Sequence, residues 1–146
     1  MTRVALLDVN VLVALFDPDH VHHEAAHAWL AANRKLGWAT CPLTENGLVR
    51  ILSNAAYSET FEPAAAVRQR LDVFCASGHH SFWPDQVSLR DARLFRLEGV
   101  SHRQVTDVYL LGLATKRGGR LASFDRRIPV QSVPGADAGQ LEVIPA

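Results

Sequence analysis

The sequence holds only two cysteines, Cys41 and Cys75, with no CxxC around either, which excludes a disulfide framework and a zinc knuckle and leaves two thiols read as small buried hydrophobes. No apolar stretch approaches the ~20 residues of a membrane span. The longest, around Val108 to Ala114, contains Gly112, and Met1-Thr2-Arg3-Val4 opens no apolar segment of signal-peptide length. These absences lead to the expectation of a protein that stays in the cytoplasm, away from membranes. Internal repeats, low-complexity tracts and linkers are lacking too, and the one Pro/Gly-rich patch, Val133 to Gly139, reads as a terminal loop. Net charge is also missing, since 15 Lys and Arg balance 15 Asp and Glu.

What remains is a chain of 146 residues, 48% hydrophobic and 21% charged. That composition is remote from disorder, and the length suffices to bury roughly two-thirds of the unfolded surface as one domain over residues 1–146. Neutrality hides a split: residues 1–85 are net acidic and residues 86–146 net basic, which permits an anionic partner on the second half.

Short apolar runs alternate with helical periodicity. Val4 to Leu7 reads as a strand covered on both faces, followed by a helix over Val9 to Phe16 that Asp17-Pro18 stops. His22 to Leu36 reads as a helix closed by Gly37, Trp38 to Cys41 as a strand, Leu43 to Leu52 as a helix, and Pro63 to Ala76 as a helix opened by proline. His80 to Trp83 is a third strand, Ser88 to Leu97 an Arg-rich helix, and Val105 to Arg117 a strongly apolar helix. Leu121 to Phe124 is a fourth strand and Leu141 to Ile144 an edge strand. This alternation predicts a three-layer α/β/α sandwich with a mainly parallel central sheet.

In a parallel sheet, ligands bind beyond the carboxyl ends of the strands, and two strands here run directly into an aspartate, Asp8 and Asp125. Helix capping alone explains either one, though less readily both. Glu45 opens the helix after the second strand, where a helix dipole would also favour it. Asp107 begins a helix apolar on nearly every side, where an ionised carboxylate is costly without a partner. Four acids on one edge repel one another unless a divalent cation neutralises them, and an all-oxygen site suits Mg²⁺ or Mn²⁺ rather than zinc. The chemistry implied is metal-assisted phosphodiester hydrolysis without a Ser, Cys or His nucleophile.

The stretches D8-V-N-V-L-V-A-L, L43-T-E-N-G-L-V-R-I-L, V105-T-D-V-Y-L-L-G-L-A and L121-A-S-F-D-R-R-I resemble the four acidic motifs of PIN-domain ribonucleases. Order and spacing match, and the likeness, which is to VapC toxins of VapBC toxin–antitoxin pairs of the actinobacterial type, covers essentially the whole chain. The resemblance implies a PIN fold, Mg²⁺- or Mn²⁺-dependent endoribonuclease activity, a homodimer, and inhibition by a cognate VapB antitoxin. It makes Asp8, Glu45, Asp107 and Asp125 the acidic metal-site residues, Asp8 and Asp107 foremost. Asn10, Thr106 and Ser123 fall at polar positions that orient a carboxylate or a water. Arg127 departs from the family pattern, which often has glycine there.

Other features have plainer readings. His20, His22, His23 and His27 cluster near one helix start, but the i, i+4 pair His23/His27 lacks the glutamate of a HExxH zinc site, so solvated histidines are the default, with RNA contact the alternative. Arg90, Arg93 and Arg96 would share one helix face, with Arg103, Lys116, Arg117, Arg120, Arg126 and Arg127 beyond. They form either a solvated face or a phosphate-binding rim, Arg126 and Arg127 being favoured for the rim by their closeness to Asp125. Trp29, Trp38 and Trp83 belong in the core. The second to fourth helices offer a groove for an antitoxin helix. Two rival functions stand beside the nuclease. A phosphatase of the haloacid dehalogenase type would match Asp8-Val9-Asn10 only if its second acid were present, and a catalytically silent PIN-like module binding RNA or protein would not need all four acids.

Overall fold

A computed structural model describes residues 3–146. The strands β1 (Ala5–Leu7), β2 (Trp38–Thr40), β3 (His80–Phe82), β4 (Arg120–Ser123) and β5 (Leu141–Val143) form one sheet in the order β3-β2-β1-β4-β5, every neighbouring pair parallel. Side chains of successive strand residues point to opposite faces, and each face meets its own apolar layer. Ala5, Leu7, Trp38 and Ala122 pack against α1 (Val9–Phe16), α2 (His23–Asn33), α3 (Pro42–Leu52) and α4 (Ala64–Cys75). Leu6, Ala39 and Leu121 pack against α5 (Val105–Lys116) and a long irregular segment between β3 and α5. The arrangement is the expected three-layer α/β/α sandwich.

Local chemistry sets the element boundaries. Asp8 caps α1 by accepting the Val9 N–H at 2.7 Å. Pro42 opens α3, where its missing N–H costs nothing, and Thr44 reaches back to the Cys41 backbone. After α2, a short 3₁₀ turn over Arg34–Leu36 ends at Gly37, whose φ of 93° turns the chain into β2. The three tryptophans are buried, as expected; Cys41 is buried and Cys75 half-buried, and both are free.

The Arg-rich helix expected over Ser88 to Leu97 does not form. Ser88 and Asp91 accept the backbone N–H groups of Arg90 and Arg93, local bonds that compete with a helix. Arg96 then gives its N–H to the Ser132 carbonyl, across to another segment, and Phe95 is pinned in the core beneath α5. Arg90, Arg93 and Arg96 therefore share no helix face.

The chain leaves β1 toward β2 on one side, and β4 lies on the other. The strand order thus reverses between β1 and β4, and a crevice opens at their carboxyl ends. Among the described residues no helix is long and apolar enough to cross a membrane.

Candidate functional site

Asp8 lies at the end of β1 and Ser123 at the end of β4, the two strands that flank the crevice. The buried Ser123 hydroxyl donates to Asp8 Oδ2 at 2.6 Å and accepts from Asn10 Nδ2 at 3.3 Å and from the Asp125 N–H at 3.0 Å. Asn10 Oδ1 in turn accepts the Phe124 N–H. Asp8 is only 4% exposed, so its carboxylate is fixed by the Ser123 hydroxyl and by the first N–H of α1. Ser123 thus bonds Asp8 directly, and Asn10 reaches Asp8 only through Ser123. Thr106 is exposed at the head of α5.

Asp107, third residue of α5, stands within hydrogen-bond reach of both Asp8 and Asp125. Burial pushes its carboxyl up to about 8, helped by the charge of Asp8, the hydrogen bond to it, and the charge of Asp125. Asp8 is raised as well, by burial first, although the Ser123 hydroxyl, Asp107 and the Val9 N–H oppose the shift. No Lys or Arg forms an ion pair with any of the three among the described residues. Three crowded carboxylates, two of them held above their ordinary range and none paired with a Lys or Arg among the described residues, are a fit for a hard divalent ion.

Glu45 is not drawn into this group. The Thr40 hydroxyl donates to Glu45 Oε2 at 2.7 Å and lies 2.8 Å from His80 Nε2, and the Glu45 carboxylate faces His80 and Cys75 instead of the aspartates. Burial, then the charge of Glu45, pushes the Cys75 thiol up to about 11. The structure therefore brings three of the four expected acids together and places the fourth, two strands from β4, in a separate polar cluster.

Beside Asp125 opens a groove of about 640 Å³, lined by Asn10, His20, His22, Arg103, Phe124 and Arg127 among others. His22 stacks on Phe124 with ring centroids 4.7 Å apart. Arg127 lines this groove, and its backbone N–H bonds Asp125 Oδ1; Arg126 is exposed outside the groove lining. Gln104, which the sequence did not single out, also lines it and donates to the Arg127 carbonyl at 3.3 Å. Phe124 was likewise not singled out, although its place between Ser123 and Asp125 is a signal for it.

Several cations and histidines serve the scaffold. His23 Nδ1 and His27 Nε2 lie 2.7 and 2.9 Å from the Ala14 and Leu15 carbonyls in the last turn of α1, groups that lack helical partners. Arg120 pairs with Glu142 and bonds Asn33, and Arg117 stacks over Trp83, so neither belongs to a phosphate rim. On the far side of the helical layer, α2 and α4 border an apolar groove of about 790 Å³ with Leu30, Ala31, Val73 and Phe74 in its walls and Arg34 and Arg70 at its margins.

Residues 5–132 match the family model of the PIN domain. Ribonuclease VapC44 of Mycobacterium tuberculosis is 42% identical over 144 residues, covering 96% of this chain and 99% of that protein. Ribonuclease VapC39 of the same organism is 45% identical over 142 residues, covering 96% and 99%. The chain is also similar in fold, with a TM-score of 0.56 and 14% identity over 95% of its length and 97% of the other chain's, to a crystal structure of VapBC2 from Rickettsia felis bound to a DNA fragment from their promoter.

Proposed function

The chain belongs to the PIN-domain family, and on that premise we propose that it is the toxin of a VapBC-type toxin–antitoxin pair, an endoribonuclease that hydrolyses phosphodiester bonds of RNA. The observation that carries this reading is the meeting of Asp8, Asp107 and Asp125 at the β1/β4 crevice, without a neutralising Lys or Arg among the described residues, beside a groove that bears Arg103 and Arg127. Two relatives matched over nearly their whole length carry the name ribonuclease VapC.

The three aspartates would hold Mg²⁺ or Mn²⁺, hard ions suited to an all-oxygen donor set. Bound there, such an ion supplies positive charge to the phosphodiester and activates water for attack on phosphorus. The residues of the chain supply the rest. Ser123 and Asn10 hold the Asp8 carboxylate in one orientation, and Asp107 joins the two strand-end acids from the head of α5. Arg103 and Arg127 contact phosphate oxygens, and the stacked His22–Phe124 pair offers a flat face to an unpaired base of single-stranded or looped RNA. Glu45, bonded to Thr40, adds negative charge to the same sheet edge without being a ligand in this arrangement.

The toxin acts in the cytoplasm as a homodimer and is restrained by a VapB-type antitoxin. The apolar α2/α4 groove suits the apolar face of an amphipathic antitoxin helix. The test is incubation of the antitoxin-free protein with total bacterial RNA, with Mg²⁺, with Mn²⁺ and with EDTA, beside the Asp8→Asn variant. Metal-dependent cuts at a few sites, absent in the variant, are expected; RNA left intact under both metals would refute the nuclease reading.

A further inference from the structure

The cluster that holds Glu45 has a chemistry of its own. Ligand atoms of Glu45 from α3, Cys75 from the end of α4 and His80 from the start of β3 lie within 4.8 Å of one another, each residue half-buried. Three separate elements bring a carboxylate, a thiol and an imidazole to one point. Neighbours fix their orientation: Thr40 Oγ1 bonds the Glu45 carboxylate and lies 2.8 Å from His80 Nε2, and the His80 ring rests against Trp38 with centroids 4.6 Å apart.

We propose that Glu45, Cys75 and His80 form a Zn²⁺ site, separate from the three-aspartate centre. Sulfur and nitrogen donors select zinc over the hard ions that the aspartates suit, and zinc takes such mixed donors in tetrahedral geometry. Three protein ligands leave the fourth position to water. Binding exchanges the Cys75 S–H proton, released to solvent, for a sulfur–zinc bond. The ion would clamp the start of α3, the end of α4 and the edge strand β3 together, so its presence is read in stability as well as in spectra. The spectroscopic readout of this site does not require that the chain cleave RNA, so its failure and that of the nuclease reading are distinguishable.

The experiment is titration of the metal-free, full-length protein with Co²⁺ as a spectroscopic substitute, followed by Zn²⁺. A thiolate-to-cobalt charge-transfer band that saturates at one equivalent and disappears on Zn²⁺ addition is expected. Cys75→Ser and His80→Gln should lose it, whereas Asp107→Asn should keep it. In parallel, Zn²⁺ should raise the melting temperature of the wild type and leave that of His80→Gln unchanged. Absence of the band in the folded wild type, or its survival in Cys75→Ser, would overturn the proposal; so would an equal Zn²⁺-induced shift in wild type and His80→Gln.

Discussion

Ser123 donates its hydroxyl hydrogen to Asp8 Oδ2 across 2.6 Å, and so ties together the carboxyl ends of the two strands between which the sheet order reverses. The same oxygen accepts from Asn10 and from the backbone of Asp125. One buried hydroxyl thus sets the direction of one acid and the start of the turn that carries another. Ser123→Ala leaves the Asn10 amide and the Asp125 N–H without their acceptor and frees the Asp8 carboxylate to rotate. Loss of such an orienting partner typically weakens metal affinity or activity about 10–100-fold. The expected result is a shift of that order in the Mg²⁺ concentration needed for half-maximal cleavage, measured on a defined RNA, with the circular dichroism of the fold preserved.

Asp107 gives a pH signature to the metal-free protein. Its carboxyl rises from 3.8 to about 8 on folding, so between these values the folded state holds a proton that the unfolded state has lost. Stability from this group is therefore complete at low pH and declines as pH rises toward 8. His20 and His80 are lowered from 6.5 and act in the opposite sense below that value, which makes pH 7 to 8 the window to read. Melting temperature in EDTA should fall across that window in wild type and stay flatter in Asp107→Asn. Added Mg²⁺, which takes the ionised form, should stabilise wild type most at the upper end and Asp107→Asn little.

Arg103 and Arg127 line the groove next to Asp125, whereas Arg126 lies outside that lining. Each groove arginine that neutralises a phosphate of single-stranded RNA contributes roughly 0.7 to the slope of log affinity against log salt. Arg103→Ala and Arg127→Ala, made in an Asp8→Asn background to prevent cleavage, should each weaken binding and flatten that slope by about this amount. Arg126→Ala should change it less. A filter-binding series over salt concentration distinguishes the three.

Val73 is 68% exposed on α4, in the wall of the apolar groove. A carboxylate there puts charge into the apolar wall of that groove, whose lining includes none of the three aspartates. Val73→Glu should therefore leave RNA cleavage unchanged and remove inhibition by the cognate antitoxin, read as cleavage restored in the mixture. Retained inhibition would move the antitoxin to another surface.

The sheet and the aspartate centre were legible because their signals are local. Val4 to Leu7 running into Asp8 is a buried strand followed by an acid, and Asp107 is conspicuous as a charge on an otherwise apolar helix. Glu45 was legible as an acid at the proper edge, but its rotamer depends on Thr40, Cys75 and His80, residues whose meeting follows from strand order and helix packing. Arg90, Arg93 and Arg96 show the opposite failure: a helical period is present, yet Ser88 and Asp91 satisfy the backbone locally and Arg96 is claimed by Ser132. His23 and His27 matched a metal-ligand spacing while meeting the unpaired carbonyls of α1, a need that only the packing of α1 on α2 creates.

The irregular segment that replaced the expected helix is held through Gly112. A Cβ at this position of α5 would lie 2.2 Å from two ring atoms of Phe95, which is itself buried. In an isolated helix, alanine in place of glycine gains about 1 kcal/mol. Here the added methyl must displace a core aromatic ring, an overpacking that costs typically 1–3 kcal/mol or more. The collision should win, and Gly112→Ala should lower stability in urea denaturation. The two contributions separate in a double-mutant cycle. Phe95→Ala alone should cost about 3–5 kcal/mol through the cavity it leaves. Introduced on that background, Gly112→Ala should turn stabilising, because the ring is gone and the helical gain remains. A second substitution that destabilises equally in both backgrounds would mean that Phe95 does not pack on Gly112, and that the segment between β3 and α5 is anchored elsewhere.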